Sequence, residues 1–389
     1  MTSKKYKKSQ VFSSACVGML LFGIVMISLG SILPDLIDKF QLNEARTGYL
    51  LTLLPSGILL GSLVFGPLVD LLSYKRILIA GGIFIMLGLE GIAFSLSHGL
   101  LHISVFCIGL GGGILNGVTN ALVSEISDDG HSANLSLLGV FYGVGALGTP
   151  VILGLVKGIY SFESILGILG AIIIIPLLFF VFTKFPLSAV SRGFPIKEGL
   201  KMIKDPLLLL FGAILFFQSG IEGLTNNWTT SYLENIKEIS ASRALFILSS
   251  FVAALTLTRI LLGKILRIYS PLKILVIGFV LSILGSFFML LGKSFTSSII
   301  GMIAIGAGLA AGFPVILGYI GQTYTRLSGT AFSIVMTIAL VGNVIANYIM
   351  GLISQEYGLG VQPYLVISSV LAILFLLYFT KRKYNTVIT

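Results

Sequence analysis

Gln218-Ser-Gly-Ile-Glu222-Gly-Leu-Thr-Asn226-Asn227-Trp228-Thr-Thr-Ser-Tyr232 lies inside an otherwise apolar run over residues 207–233. That run is long enough for a helix to cross a membrane, because about 20 residues span the ~30 Å hydrocarbon core. A carboxylate near the middle of such a helix costs about 2.5–3.5 kcal/mol on insertion scales, so it turns toward a water-filled cavity and works there. Gln218, Glu222 and Asn226 stand four residues apart and share one helix face. The stretch reads as a membrane helix with one polar working face.

The rest of the chain agrees with a membrane setting. Of 389 residues, 56% are hydrophobic and 10% charged, where a soluble domain carries about 25% charged residues. The mean hydropathy is +1.04. Twelve apolar runs follow one another near 11–34, 47–69, 77–97, 101–124, 135–157, 163–183, 207–233, 243–263, 273–292, 296–322, 329–353 and 362–380, leaving no room for a soluble domain. Lys4, Lys5, Lys7 and Lys8 precede a first run too long for a signal-peptide core and without a small-residue cleavage site, so that helix is expected to be retained. With the N-terminus inside, eighteen Lys/Arg fall on the cytoplasmic side and six outside, with Arg259 within a helix end. Positive loops stay inside, so both termini are expected in the cytoplasm and the chain in the cell (inner) membrane as a multi-pass protein. The acidic loop 125–134 runs against the trend, but acidic residues weigh little in that rule. The formal charge of +10 then reflects topology and attraction to an anionic lipid bilayer rather than nucleic acid. Cys16 and Cys107 lie in separate runs and read as small packing residues.

A constant spacing divides the chain in two. Gly66, Gly109, Gly111, Gly145 and Gly154 each find a glycine 197 residues later, at Gly263, Gly306, Gly308, Gly342 and Gly351, and Arg76 finds Lys273. One ungapped offset across four helices argues for a duplicated six-helix unit. The predicted division is an N-terminal bundle over 1–183, a basic linker over 184–206 and a C-terminal bundle over 207–389. Such a pair of parallel halves describes an alternating-access carrier with its substrate near the bilayer midplane.

Between the second and third runs stands Gly66-Pro-Leu-Val-Asp70-Leu-Leu-Ser73-Tyr-Lys75-Arg76. This resembles the signature loop of the major facilitator superfamily, a Gly, an Asp four later, then a basic pair, with Ser73 standing where the family has a second Gly. The resemblance implies an all-α membrane protein of twelve transmembrane helices in two pseudo-symmetric six-helix bundles. It also implies a gating role for Asp70, Lys75 and Arg76. An acid at a helix end takes hydrogen bonds and ion pairs that separate as the halves rock. The counterpart region from Arg259 to Lys273, with Arg259 included among the gating residues, has no acid matching Asp70.

Further stretches narrow the resemblance. Helix 4 reads Gly109-Leu-Gly-Gly-Gly-Ile-Leu-Asn116-Gly-Val-Thr-Asn120, helix 5 contains Phe141-Tyr142-Gly-Val-Gly145-Ala, and helix 10 contains Gly-Phe313-Pro314. With Glu222, Trp228 and Tyr232 in helix 7, these are similar to the fucose/galactose/glucose symporter-like branch. Asn116 stands where many relatives have an acid, and helix 1 has no carboxylate within its span, which shifts proton coupling onto Glu222. Glu90 in helix 3 is the second candidate for coupling.

A sugar offers hydroxyls and no charge, so its site needs amides that donate and accept, plus an aromatic face. Asn116, Asn120, Gln218, Asn226, Asn343 and Asn347 supply the amides, joined by Tyr142, Glu222, Phe313 and Trp228. The same amides also suit interhelical hydrogen bonding, and Trp228 also suits the aromatic belt at a membrane interface. Pro314 predicts a break in helix 10, since it frees a backbone carbonyl.

The expected function is proton-coupled uptake of a monosaccharide or similar neutral solute, with sodium coupling also open. The alternative is an exporter of drugs or metabolites, since Gly145, Pro150 and Gly154 partly match the glycine-proline motif of antiporters. No catalytic spacing is present, so an enzyme is not expected. His98 and His102 have metal-pair spacing without a third ligand and read as solvated histidines, so no metal and no cofactor beyond the coupling ion is expected. Each chain holds both halves of a carrier, which suits a monomer.

Overall fold

The computed structural model describes residues 6–126, 131–186, 202–266, 268–324 and 328–388, without the side chains of 65–71, 124, 131–133, 135–136, 328–329 and 381–388. These residues form an all-helical membrane architecture. Among the described residues, twelve helices are long and apolar enough to cross a bilayer: Lys8–Ser31, Glu44–Val64, Tyr74–Ala93, His98–Val123, Leu137–Val156, Phe162–Phe182, Pro206–Lys237, Ala241–Ile265, Pro271–Leu291, Phe295–Thr323, Thr330–Tyr357 and Leu359–Thr380, here spans 1 to 12. All twelve coincide with apolar runs of the sequence. Most of the expected linker lies outside the described residues, as does the middle of the acidic loop at 127–130.

Two compact units are present, one of Met1–Leu42 with Leu50–Arg192, the other of Asn43–Tyr49 with Gly193–Thr389. Each is held by helices that cross at backbone contact. A Cβ at Gly109 would stand 2.2 Å from the Leu54 carbonyl oxygen, joining spans 2 and 4, and one at Gly306 would stand 2.4 Å from that of Phe251, joining spans 8 and 10. Gly111 meets the Gly81 carbonyl at 2.5 Å and Gly308 meets that of Gly278 at 2.3 Å. Gly88 meets Ser104 and Gly285 meets Gly301, at 2.7 and 2.6 Å. In all three cases both partners of the second contact lie 197 residues beyond those of the first. The repeat is therefore written into the contacts as well as the letters. Without side chains between them, helices in lipid gain dispersion contact that bulkier residues would block.

Apolar exposure marks the faces turned outward. Ile168, Ile172, Ile175 and Phe182 on span 6 are exposed, as are Ile277, Leu284, Phe288 and Leu291 on span 9. In a bilayer these side chains meet hydrocarbon, and covering them is unnecessary.

Local chemistry explains where helices start and bend. Asp205 caps span 7 by accepting from the Leu207 N–H at 2.8 Å, with Pro206 at the first helical position. Its other carboxylate oxygen accepts from the Tyr324 hydroxyl at 2.7 Å, which ties the start of span 7 to the chain just past span 10. Burial, and then the facing Asp205 carboxylate, hold the Tyr324 phenol pKa well above its usual value. Span 10 opens with a reciprocal capping box between Ser294 and Ser297. It then breaks: one helix ends at Leu309 and the next begins at Gly312. The Pro314 ring bars the regular helix there, and the break falls a few residues before it.

Ser73 separates spans 2 and 3 with φ 97° and ψ 148°. That backbone region favours glycine, so Ser73 carries a side chain where glycine would be unstrained. A residue held there stores about 1–3 kcal/mol of strain. Ser73→Gly is expected to raise stability by about 1 kcal/mol, seen as a higher thermal midpoint in detergent, whereas Ser73→Val should lower it.

Candidate functional site

The polar face of span 7 is assembled around Glu222. Gln218, one turn earlier, donates through Nε2 to Glu222 Oε1 at 2.9 Å and also to the Leu309 carbonyl at 3.0 Å. Leu309 is the last residue before the break in span 10, so Gln218 satisfies a carbonyl that the break leaves open. Gly312 makes room for this: a Cβ there would lie 2.5 Å from Gln218 Oε1. From span 8, Arg259 Nη2 donates to the same Glu222 oxygen at 3.2 Å. The two charged side chains are 20% and 30% exposed, Glu222 the less. A half-buried carboxylate is thus held by one amide and one guanidinium within spans that are otherwise apolar.

Three polar atoms of this cluster are buried and have no partner. They are Gln218 Oε1, Asn226 Oδ1 and Arg259 Nε. Buried polar groups are hydrogen-bonded in the great majority of cases, so each of these three is a group that a solute could satisfy. Two are acceptors and one, the Arg259 Nε–H, is a donor.

The other amides of the second unit are engaged with one another. Asn343 Nδ2 donates to the Ser219 carbonyl at 3.0 Å, binding span 11 to span 7. Asn347 Nδ2 donates to the Asn343 carbonyl and to Asn343 Oδ1, both at 2.9 Å. Asn347 Oδ1 accepts from Asn227 Nδ2 and from the Trp228 indole N–H, each at 3.1 Å. Trp228 is 0% exposed. The structure places it in a packed seam between spans 7 and 11 with its one donor satisfied. Phe313 is half-buried just after the break in span 10. Trp228 is the sole tryptophan, so the seam can be read by its fluorescence. Asn347→Leu is expected to strip the indole of its acceptor and loosen the seam, with a changed emission maximum and a stability loss of about 1–3 kcal/mol from the groups left unpaired.

The first unit holds a separate set. Asn120 Nδ2 donates to the Asn116 carbonyl at 2.8 Å and to Asn116 Oδ1 at 3.1 Å, and both residues are half-buried on span 4. The Tyr142 ring on span 5 lies 5.6 Å from that of Phe22 on span 1. Glu90 is set against span 6, where a Cβ at Gly170 would come within 2.5 Å of its Oε1. Lys75 donates to the Val181 carbonyl near the end of span 6, and Arg76 is exposed. The Asp70 side chain lies outside the described residues. His98 leans on the Phe40 ring at 5.7 Å, and among the described residues no three His, Cys, Asp or Glu gather as metal ligands.

Arg259, expected among the gating residues, stands beside Glu222. Spacing could not reveal that pair, since the two residues lie on different spans and 37 residues apart. The signal available was an arginine inside the end of the apolar run over 243–263, which calls for a carboxylate partner.

Comparison with known proteins agrees with this architecture. The chain is 22% identical over 354 residues to the protein TsgA homolog of Buchnera aphidicola subsp. Schizaphis graminum, covering 90% of each. It is 23% identical over 383 residues to the probable nitrate transporter NarT of Staphylococcus haemolyticus, covering 95% of this chain and 96% of that one. Among solved structures it superimposes on the nucleoside transporter NupG with a TM-score of 0.81 at 14% identity, over 98% of this chain and 100% of the other. The D-xylose-proton symporter gives 0.78 at 13% identity, over 95% and 97%. The profile of the Major Facilitator Superfamily matches residues 15–295 and 229–387. The chain is a member of the Major Facilitator Superfamily, a membrane carrier of small molecules rather than an enzyme.

Proposed function

We propose that this carrier imports a small neutral polyhydroxy solute, a monosaccharide before others, by alternating access with a proton taken up at Glu222. The reading rests on the three orphaned atoms beside Glu222. Gln218 Oε1 and Asn226 Oδ1 call for donors and Arg259 Nε–H calls for an acceptor, and a sugar hydroxyl is both. Adding a proton to Glu222 removes the charge that holds Arg259 Nη2, freeing the guanidinium for the solute; losing it restores the pair and expels the solute. Protonation and substrate affinity are then one linked equilibrium. The TM-score of 0.78 to the D-xylose-proton symporter fits such a role. In this reading both termini are cytoplasmic, the protein works as a monomer in the inner membrane, and Asn116, Asn120 and Tyr142 furnish the polar groups of the first unit.

A second reading takes a small oxyanion as substrate. Its support is the intramembrane Arg259 with a free Nε–H, and the similarity to the probable nitrate transporter NarT. An anion would satisfy Arg259 but would set its charge against Gln218 Oε1 and Asn226 Oδ1, so the neutral solute is preferred.

The test is external pH in lightly buffered, de-energised cells expressing the protein. Alkalinisation with a particular monosaccharide supports the first reading, and alkalinisation with nitrate alone selects the second. No alkalinisation with either drops proton symport in favour of sodium coupling or export.

A further inference from the structure

On span 7, three residues past Glu222, the chain turns a second polar surface toward spans 9, 10 and 12. Thr225 and Thr229 of span 7, Ser286 and Met289 of span 9, Met302 and Ile305 of span 10, and Gln362, Pro363 and Val366 of span 12 line a small, partly open cavity with room for about one water molecule. All of them belong to the second unit. Thr225 is 2% exposed and Gln362 is 4% exposed. Gln362 uses its amide nitrogen fully, donating from Nε2 to Thr229 Oγ1 at 3.1 Å and to the Leu224 carbonyl at 3.3 Å. Its Oε1 is buried without a partner, and so is Thr225 Oγ1. Two unpaired polar atoms therefore line one cavity of a single water's size.

We infer that this cavity is a binding site for one ordered water, which joins Thr225 to Gln362 and fastens span 7 to span 12. The chemistry of the two orphans selects the guest. Gln362 Oε1 accepts only, while the Thr225 hydroxyl can donate or accept, so water can donate to the amide oxygen and exchange a second bond with the hydroxyl. Thr229 Oγ1 and Ser286 Oγ, in the same lining, are available for a third. Ser286 already directs its own proton to the Ser282 carbonyl at 2.9 Å, which leaves its oxygen as an acceptor. A cation fits less well. No carboxylate lines the cavity, and Met289, Met302, Ile305, Pro363 and Val366 offer only apolar surface or thioether sulfur, so a charge would lie uncompensated in low dielectric. A larger solute has no room.

Such a water makes the seam between spans 7 and 12 exchangeable, because its bonds can be remade without moving a side chain across the interface. It also hydrates a residue one turn from the coupling carboxylate. The site does not depend on the identity of the transported solute.

Thermal unfolding of the purified protein in detergent tests the inference through a cycle of Thr225→Val, Gln362→Met and the double variant. A bridging water predicts that Thr225→Val lowers the midpoint by a few degrees in the native background and much less beside Gln362→Met. A dry cavity predicts the opposite sign: Thr225→Val then removes an unpaired hydroxyl at constant volume, and a raised or unchanged midpoint overturns the inference, as do strictly additive effects. If Thr225→Val does not fold, Thr225→Ser serves. It keeps the hydroxyl and should retain the wild-type coupling to Gln362, and loss of that coupling also overturns the assignment. Repeating the wild-type measurement in sodium chloride and choline chloride separates the guests. A sodium-specific rise abolished by Gln362→Met would put a cation in the cavity instead of water.

Discussion

Glu222→Gln is expected to abolish concentrative uptake while leaving exchange of labelled solute intact. The substitution keeps an amide oxygen where Gln218 Nε2 donates at 2.9 Å, but removes the charge facing Arg259 at 3.2 Å. The guanidinium then faces a neutral acceptor at all times, and no proton loss restores the ion pair. One coupled proton across a gradient of one pH unit supports about tenfold accumulation. In proteoliposomes the variant should fall to an accumulation ratio of about one, with counterflow near the native rate. Retained accumulation would remove Glu222 from the coupling step. Arg259→Met is the complementary case. It strands the carboxylate with Gln218 alone, so it should cost more in stability and transport than the double variant Glu222→Gln with Arg259→Met, which leaves no unpaired charge.

Gly145→Ala and Gly342→Ala are expected to disrupt folding at equivalent crossings. A Cβ at Gly145 would sit 2.1 Å from the Leu20 carbonyl oxygen, and one at Gly342 would sit 2.1 Å from that of Phe216. These obstacles are backbone, so no rotamer change relieves them, and spans 1 and 5 or spans 7 and 11 must part. Overpacking of this kind costs about 1–3 kcal/mol and more where the backbone cannot yield. Recovery of monodisperse protein on size exclusion should fall sharply for both. Gly139→Ala and Gly263→Ala are the controls, since a Cβ at either meets nothing within 4 Å. Equal recovery across all four would mean that these crossings are looser than the contacts state.

How much of this was legible in the sequence depends on the range of the force involved. Membrane spans follow from runs of apolar residues, a local property, and all twelve were readable. The duplication was readable at Gly109 and Gly306 and at Gly111 and Gly308 because glycines at helix crossings resist replacement, so paired contacts leave paired letters. The face shared by Gln218 and Glu222 was readable from helical period alone. What those side chains bond to was not. Asn343 and Asn347 stand at the same spacing as Gln218 and Glu222 and likewise bond to each other, but their other bonds run to span 7 instead of to spans 8 and 10. Trp228 offers the same letters whether it faces solute, headgroups or a packed seam. Only the arrangement of neighbouring spans decides among these. Ser73 shows the converse case, where a residue other than glycine stands at a positive φ and carries strain.

The broken tenth span has a consequence for biogenesis. The Leu309 carbonyl at the break is answered by Gln218, whose codon precedes it by 91 positions. A lone copy of span 10 released sideways into lipid would carry that carbonyl unanswered, and hydrocarbon offers no substitute. Span 7 is synthesised first and carries the waiting amide. Because span 7 emerges first, the amide that answers the Leu309 carbonyl is already made when span 10 is synthesised.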